Sequence, residues 1–130
     1  MTRTTYDFGN GEVPAHRHTN PDGSLGGWVA DTATVSPTAW MFDNARVFGN
    51  AEVSDNAEVY GDARISGNAR VFGDATVYGN ARVSGNAWVF GDARVYNGAR
   101  VFGNAWVFGN AQVYGDARIS GNARVFGNAE

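Results

Sequence analysis

Residues Gly49-Asn50-Ala51-Glu52-Val53-Ser54 read GNAEVS, and the six before them, Asp43–Phe48, read DNARVF. The phrase continues as DNAEVY over 55–60 and GDARIS over 61–66. Alanine stands at 33, 39, 45, 51 and every sixth position through 129, without a break. Two residues after each alanine comes an aliphatic, from Val35, Met41 and Val47 to Val125. The unit is Ala-x-Val-y-Gly-Asn/Asp. It extends back to Gly27-Trp28-Val29-Ala30, where glycine replaces the leading alanine. A fixed short period of this kind is the signature of a solenoid, and it is read before any local propensity.

Ala-x-Val-y alternates with the two-residue period of a strand. Gly-Asn or Gly-Asp then supplies the turn, since these residues tolerate positive φ. Position x holds Arg, Glu, Trp, Thr and Gln. Burying unpaired arginine at that frequency costs too much, so Ala and Val face inward while x and y face outward. An amphipathic helix is excluded, because six residues turn a helix face by about 600° and the stripe would scatter.

The unit resembles that of the hexapeptide-repeat proteins, which fold as left-handed parallel β-helices; Val47-Phe48-Gly49-Asn50-Ala51-Glu52 carries the likeness. It covers residues 27–130 without an insertion. One departure is the residue after the aliphatic, which is Phe, Tyr or Ser here and often small or acidic in the family. The resemblance implies the hand, three hexads per coil and a triangular prism.

Three hexads per coil means an 18-residue period, and the outward residues test it. Sorted at that spacing, the y positions form three columns. One reads Phe42, Tyr60, Tyr78, Tyr96 and Tyr114. A second reads Ser36, Ser54, Phe72, Phe90, Phe108 and Phe126. The third, after Ala30, reads Phe48, Ser66, Ser84, Phe102 and Ser120. Among the x positions, Arg46, Arg64, Arg82, Arg100 and Arg118 fill one column beneath Trp28, and Asn50, Asn68, Asn86, Asn104 and Asn122 keep register at one corner. A plain six-residue repeat would not separate Tyr from Phe. Strands stacked about 4.8 Å apart then make a rod of five to six coils, on the order of 27 Å long. Its thin core is a column of Val and Ala, each buried Val stabilising by roughly 1.5–3 kcal/mol. Like residues in register let amides hydrogen-bond and rings stack along the axis.

Composition bounds the rest. One domain suits 130 residues, and a net charge of -3 gives no bulk attraction to nucleic acid or to a membrane surface. Cysteine is absent, which excludes disulfides and thiolate metal sites. The opening MTRTTYDFGNGEV has no apolar run of signal-peptide length, and no segment approaches a membrane helix. The expectation is a soluble, cytoplasmic protein, of a bacterial host or a phage-infected cell. Residues 1–26 lie outside the repeat and are expected to form an irregular N-terminal cap, with Pro14–Gly26 as a loop. The repeat runs to Gly127-Asn128-Ala129-Glu130 with no cap-like change, so an end-to-end partner or a continuation of the chain is expected there.

Three groups of residues are candidate sites. Phe72, Trp88, Phe90, Trp106, Phe108 and Phe126 share one expected face, an apolar patch of the kind that marks protein interfaces. Family members commonly form trimers with prisms side by side, so the resemblance makes a second copy the first partner to consider. The competing reading is that the rings only stabilise the coil surface. The arginine column Arg46, Arg64, Arg82, Arg100 and Arg118 is either a hydrated ladder or a stripe for an anion or an acidic partner. Asp62 and Asp116 lead into its strands, and Phe48 and Phe102 offer cation–π contacts. His16 and His18, with Asp22 near, form a polar loop or a metal site; the polar loop is the reading adopted, with no metal and no cofactor.

The hexapeptide resemblance also suggests acyl transfer from coenzyme A. Those enzymes use a histidine on or near the coil and loops that break the hexads. No histidine lies between 19 and 130, and no loop interrupts 27–130. A general base of suitable pKa is missing, and nothing orients a carboxylate such as Glu52 or Glu58 in its place. No catalytic residue is assigned. The chain is similar, too, to GNAR-rich hexapeptide proteins of phages and prophages, in its GNARV/GDARV phrasing and its PAHRH…GGWVADTA segment. The expected function is a non-catalytic scaffold or interaction protein that self-associates or binds a protein partner. The alternatives are a phage accessory protein occupying a host defence or surface-modification protein, and an inactive acyltransferase homologue.

Overall fold

The computed structural model describes residues 5–9 and 11–127. No helix occurs among them, so none is long and apolar enough to cross a membrane. Three longer strands, β1 (Thr5–Asp7), β2 (Glu12–Thr19) and β3 (Leu25–Ala30), precede sixteen two-residue strands, β4 (Thr34–Val35) through β19 (Arg124–Val125), one every six residues. Each short strand pairs in parallel with those 18 residues away. Arg82 pairs with Arg64 and Arg100, Trp88 with Arg70 and Trp106, and Thr76 with Glu58 and Arg94. The circuit is therefore three hexads, and the chain winds into a β-solenoid of about five coils.

Three parallel sheets result. The arginine sheet carries the five arginines below Trp28, the tryptophan sheet carries Trp88 and Trp106, and the tyrosine sheet carries Tyr60 to Tyr114. The alanines and aliphatics point to the axis, and from Ala39 to Ala111 every one of them is fully buried. Ala117, Ile119 and Val125, in the last described coil, are only partly covered. Coils are tied by N–H groups that donate to carbonyls one coil further on, such as Thr34 N–H to Ala51 O at 3.0 Å and Ser36 N–H to Val53 O at 2.8 Å.

The corners follow from glycine chemistry. Gly85 has φ +64°, and a Cβ there would stand 2.9 Å from Gly103 N. Where glycine is missing, Asp43, Asp55 and Asn97 take φ near +60°. The two aspartates answer the crowding with their carboxylates, which accept from Gly61 N–H at 3.3 Å and Gly73 N–H at 3.1 Å. The first coil has neither form at its Asp31-Thr32 and Pro37-Thr38 corners. There the hydroxyls of Thr32 and Thr38 donate to Gly49 O and Asp55 O.

The N-terminal segment is more ordered than an irregular loop. β2 pairs antiparallel with β1 and with β3, so Pro14–Thr19, expected within a loop, lies in a strand. It continues the arginine sheet past its first coil and also closes the top of the axis. Asn20 matches the backbone of Met41: its Oδ1 accepts from Met41 N–H at 2.8 Å and its Nδ2 donates to Met41 O at 2.9 Å. His18 Nε2 donates to Ala39 O at 2.7 Å. These polar groups cover an edge that would otherwise carry open acceptors and donors. The closeness also explains Gly27, since a Cβ there would lie 2.1 Å from Ala45 O.

Candidate functional site

The rod has three outward faces, and each expected group sits on one of them. On the tryptophan sheet the x column reads Thr34, Glu52, Arg70, Trp88, Trp106, Arg124. Trp88 and Trp106 stack with centroids 4.9 Å apart and planes at 3°. Arg70 lies over Trp88 at 5.3 Å and Arg124 over Trp106 at 4.7 Å, so a cation closes each end of the indole pair. Arg70 also meets Glu52 at 3.6 Å. Beside this column Phe72, Phe90, Phe108 and Phe126 stack in their own ladder at 4.9–5.1 Å. The two ladders meet edge to face, Phe72 with Trp88 at 75° and Phe90 with Trp106 at 76°. This is the arrangement ring quadrupoles favour.

The structure thus brings all six expected aromatic residues onto one face. They are less open than a bare patch. Phe72, Trp88, Phe90, Trp106 and Phe108 are half-buried against one another, and Phe126 alone is 58% exposed. Stacking accounts for part of their apolar area, and a ridge of ring edges remains in contact with solvent.

The arginine sheet differs. Tyr6 and Phe8 of the N-terminal segment pack over its first two coils. Tyr6 stacks on Trp28 at 4.7 Å and Phe8 on Phe48 at 5.0 Å. Arg46 lies over Tyr6 at 5.4 Å, so its cation–π partner is Tyr6 and not Phe48, as the column order had suggested. Phe102 takes no such contact among the described residues. Nor does any arginine of the column form an ion pair there, with Asp62, Asp116 or any other acid. Arg82, Arg100 and Arg118 are exposed, and a shallow groove lined by Asn44, Arg46, Asp62, Arg64, Asn80 and Arg82 runs beside them. At the next corner the amides of Asn68, Asn86, Asn104 and Asn122 form a hydrogen-bonded ladder at 3.2–3.3 Å.

On the third face Tyr60, Tyr78, Tyr96 and Tyr114 stack at 4.8–5.2 Å. Burial pushes the Tyr60 and Tyr78 phenols up, and the neighbouring phenol in the ladder adds to the effect. At the adjoining corner Glu58, Asp74, Asp92 and Arg94 line a polar groove with Thr76, Asn110 and Gln112.

The two histidines separate. The register of β2 against β3 shifts between Arg17 and Thr19, so His16 points out and His18 points in. His16 Nδ1 lies 2.8 Å from an Asp31 carboxylate oxygen, while His18 is held at Ala39. They do not converge, and no cluster of three or more His, Asp or Glu among the described residues is placed to hold a metal ion. Sequence reasoning missed His18 and Asn20 as closing groups; the only signal was two polar residues just before the repeat.

A family model described as YdcK Beta solenoid repeat matches residues 63–79, 75–90, 99–115, 111–125 and 117–129. Every match begins on an alanine of the hexad, in phase with the six-residue repeat. The gap between the two matched blocks contains Asn97-Gly98, the one corner where the usual Gly-Asn order is inverted. No curated protein and no solved structure matches the chain. The matched segments are similar to repeats of this type, and the coils themselves are those of a β-solenoid.

Proposed function

We propose that this β-solenoid is a rigid, non-catalytic interaction protein whose tryptophan sheet docks a protein partner, in the first instance a second copy of the chain. The observation behind the reading is the double ladder of Trp88, Trp106 and the four phenylalanines. It is held flat and in register by parallel strands, with Arg70 and Arg124 at the ends of the indole pair. A flat, preorganised aromatic ridge loses little side-chain entropy on docking. A second copy has the same ring spacing, so two ridges can interleave along their whole length. Aromatic and arginine side chains are also those that dominate interface energetics. The hexad-breaking loops and coil histidine of the acyltransferases have no counterpart in the sequence, which is the ground for reading the chain as non-catalytic.

Light scattering over a concentration series tests this. Oligomers are expected at micromolar concentration. Trp88→Arg combined with Trp106→Arg should return the chain to monomer with its circular dichroism unchanged. A wild type that stays monomeric at high concentration, or a double variant that keeps the oligomer, overturns self-association through this face. The phage accessory reading uses the same ridge against a host protein. It gains if a monomeric wild type captures one host protein that the double variant does not.

A further inference from the structure

The arginine sheet carries a repeated set of groups that neither other sheet has. Arg64-Ile65-Ser66-Gly67-Asn68, Arg82-Val83-Ser84-Gly85-Asn86 and Arg118-Ile119-Ser120-Gly121-Asn122 spell the same five positions. Strand pairing stacks them in one register, Arg64 on Arg82 on Arg100 on Arg118. Each coil therefore offers one guanidinium, one outward side chain and one corner amide on a single line across the face. Ser66, Ser84 and Ser120 supply the hydroxyl in three of four rungs, and Phe102 stands in the fourth, 36% exposed. The rungs repeat at the strand spacing, about 4.8 Å.

Charge is left unbalanced on this line. None of these arginines has an ion-pair partner among the described residues. The corner on the serine side carries only asparagine from Asn50 to Asn122, with no acid. On the opposite corner Asp62 and Asp116 stand three coils apart, with Asn80 and Asn97-Gly98 on the two coils between them and Asp43 one coil before Asp62. Guanidinium groups stacked at this spacing repel one another, and salt screens that repulsion only in part. An extended anion laid along the axis would relieve it.

We propose that the face from Arg64 to Asn122 binds a linear acidic polysaccharide, running along the solenoid axis with about one sugar to a rung. An extended chain of pyranose rings advances by nearly the same step as the coils. Each acidic sugar carries one oxyanion for an arginine and free hydroxyls for the serine hydroxyl and asparagine amide beside it. Exposed Phe102 offers an apolar edge to one sugar ring. Single-stranded nucleic acid is the poorer match, because it calls for a run of stacking rings along the stripe, and this stripe has one. The face is separate from the tryptophan ridge, so the two readings stand or fall apart.

Calorimetric titration of the full chain with oligogalacturonates of two to eight sugars tests the proposal. Affinity should rise with length until the four rungs are spanned, as linked sites demand, and fall as salt is raised. Arg82→Gln with Arg100→Gln should weaken binding by at least about tenfold. Ser84→Ala with Asn86→Ala should weaken it several-fold, whereas Arg94→Gln, on the tyrosine sheet, should leave it unchanged. Inorganic polyphosphate, polyglutamate and oligothymidylate are the comparison probes, and each should bind more weakly than the oligogalacturonate of equal charge. No binding to the galacturonates overturns the proposal. So does equal binding to all four polyanions, or loss of binding in Arg94→Gln to the same degree, since either result reduces the stripe to general positive charge.

Discussion

Trp88 and Trp106 stand one coil apart with their rings 4.9 Å apart and within 3° of parallel, and the guanidiniums of Arg70 and Arg124 sit over the outer faces. The pair stabilises the rod whether or not a partner docks there. Trp106→Ala removes the stack on Trp88, the Arg124 contact and the edge contacts to Phe90 and Phe108. The expected loss is about 2 kcal/mol, read as a lower urea midpoint in dilute, monomeric protein. An unchanged midpoint would show that the column contributes nothing to folding and exists for contact alone.

Gly85 should respond to substitution by chemistry more than by size. Its φ is +64°, and an added Cβ would crowd Gly103 N at 2.9 Å. Gly85→Ala combines a left-handed penalty with that clash and should cost about 2–3 kcal/mol. Gly85→Asp is larger yet should cost less. At the equivalent corners Asp43 and Asp55 hold φ near +60° and accept from the N–H of the glycine one coil on. Gly98→Ala, where φ is ordinary and the nearest atom is Asp116 Oδ1 at 3.3 Å, should stay within about 0.5 kcal/mol. Chemical denaturation of the three variants checks the order; an aspartate variant less stable than the alanine one contradicts it.

Asn20 and Asn86 are both asparagines that bond to a neighbouring coil, with unequal stakes. Asn20 is buried and meets both the N–H and the carbonyl of Met41. Asn20→Ala strands those two groups away from water and should cost about 3 kcal/mol. Asn86 bonds along an exposed ladder, where water replaces the lost partner, so Asn86→Ala should cost about 0.5 kcal/mol. Hydrogen exchange should show the Asn20 variant opening first at Met41 and Val59. Equal losses in the two variants would mean that the N-terminal segment does not close the rod.

The coil was legible because its inward residues allow almost no choice. A buried Ala-x-Val register at period six leaves one face for arginine, and sorting at 18 separates Tyr78 from Phe72 before any coordinate is seen. The cap was not legible for the converse reason. Glu12–Thr19 has no clean alternation, Pro14 interrupts it, and the shift after Arg17 turns His18 inward where simple alternation would put it beside His16. Gly11-Glu12-Val13 looks like a stray hexad, yet Glu12 and Val13 pair antiparallel with Asp7 and Tyr6. The same gap hid the ring over Arg46. The periodic columns place Phe48 beside it, whereas Tyr6, from outside the repeat, makes the contact. Periodicity reports the residues that repeat, and these contacts come from residues that do not.

His18 makes stability depend on pH with a definite sign. Burial lowers its pKa from the ordinary value, the bond to Ala39 O opposes that shift, and His16 nearby adds to it. The ring therefore stays neutral in the folded chain over a range where the unfolded chain takes up a proton, beginning near pH 6.5. A base with a lowered folded pKa contributes stability that is fully present above the unfolded value. That stability is lost as pH falls below it, and the loss levels off once the folded ring is protonated too. The melting temperature should be flat from pH 8 to 7 and decline from pH 6.5 to 5, a range above the usual carboxylate titrations. His18→Gln keeps an N–H donor for Ala39 but does not titrate, so its profile should be flatter across that window even if its plateau is lower. Parallel profiles for the two proteins would place the acid sensitivity elsewhere.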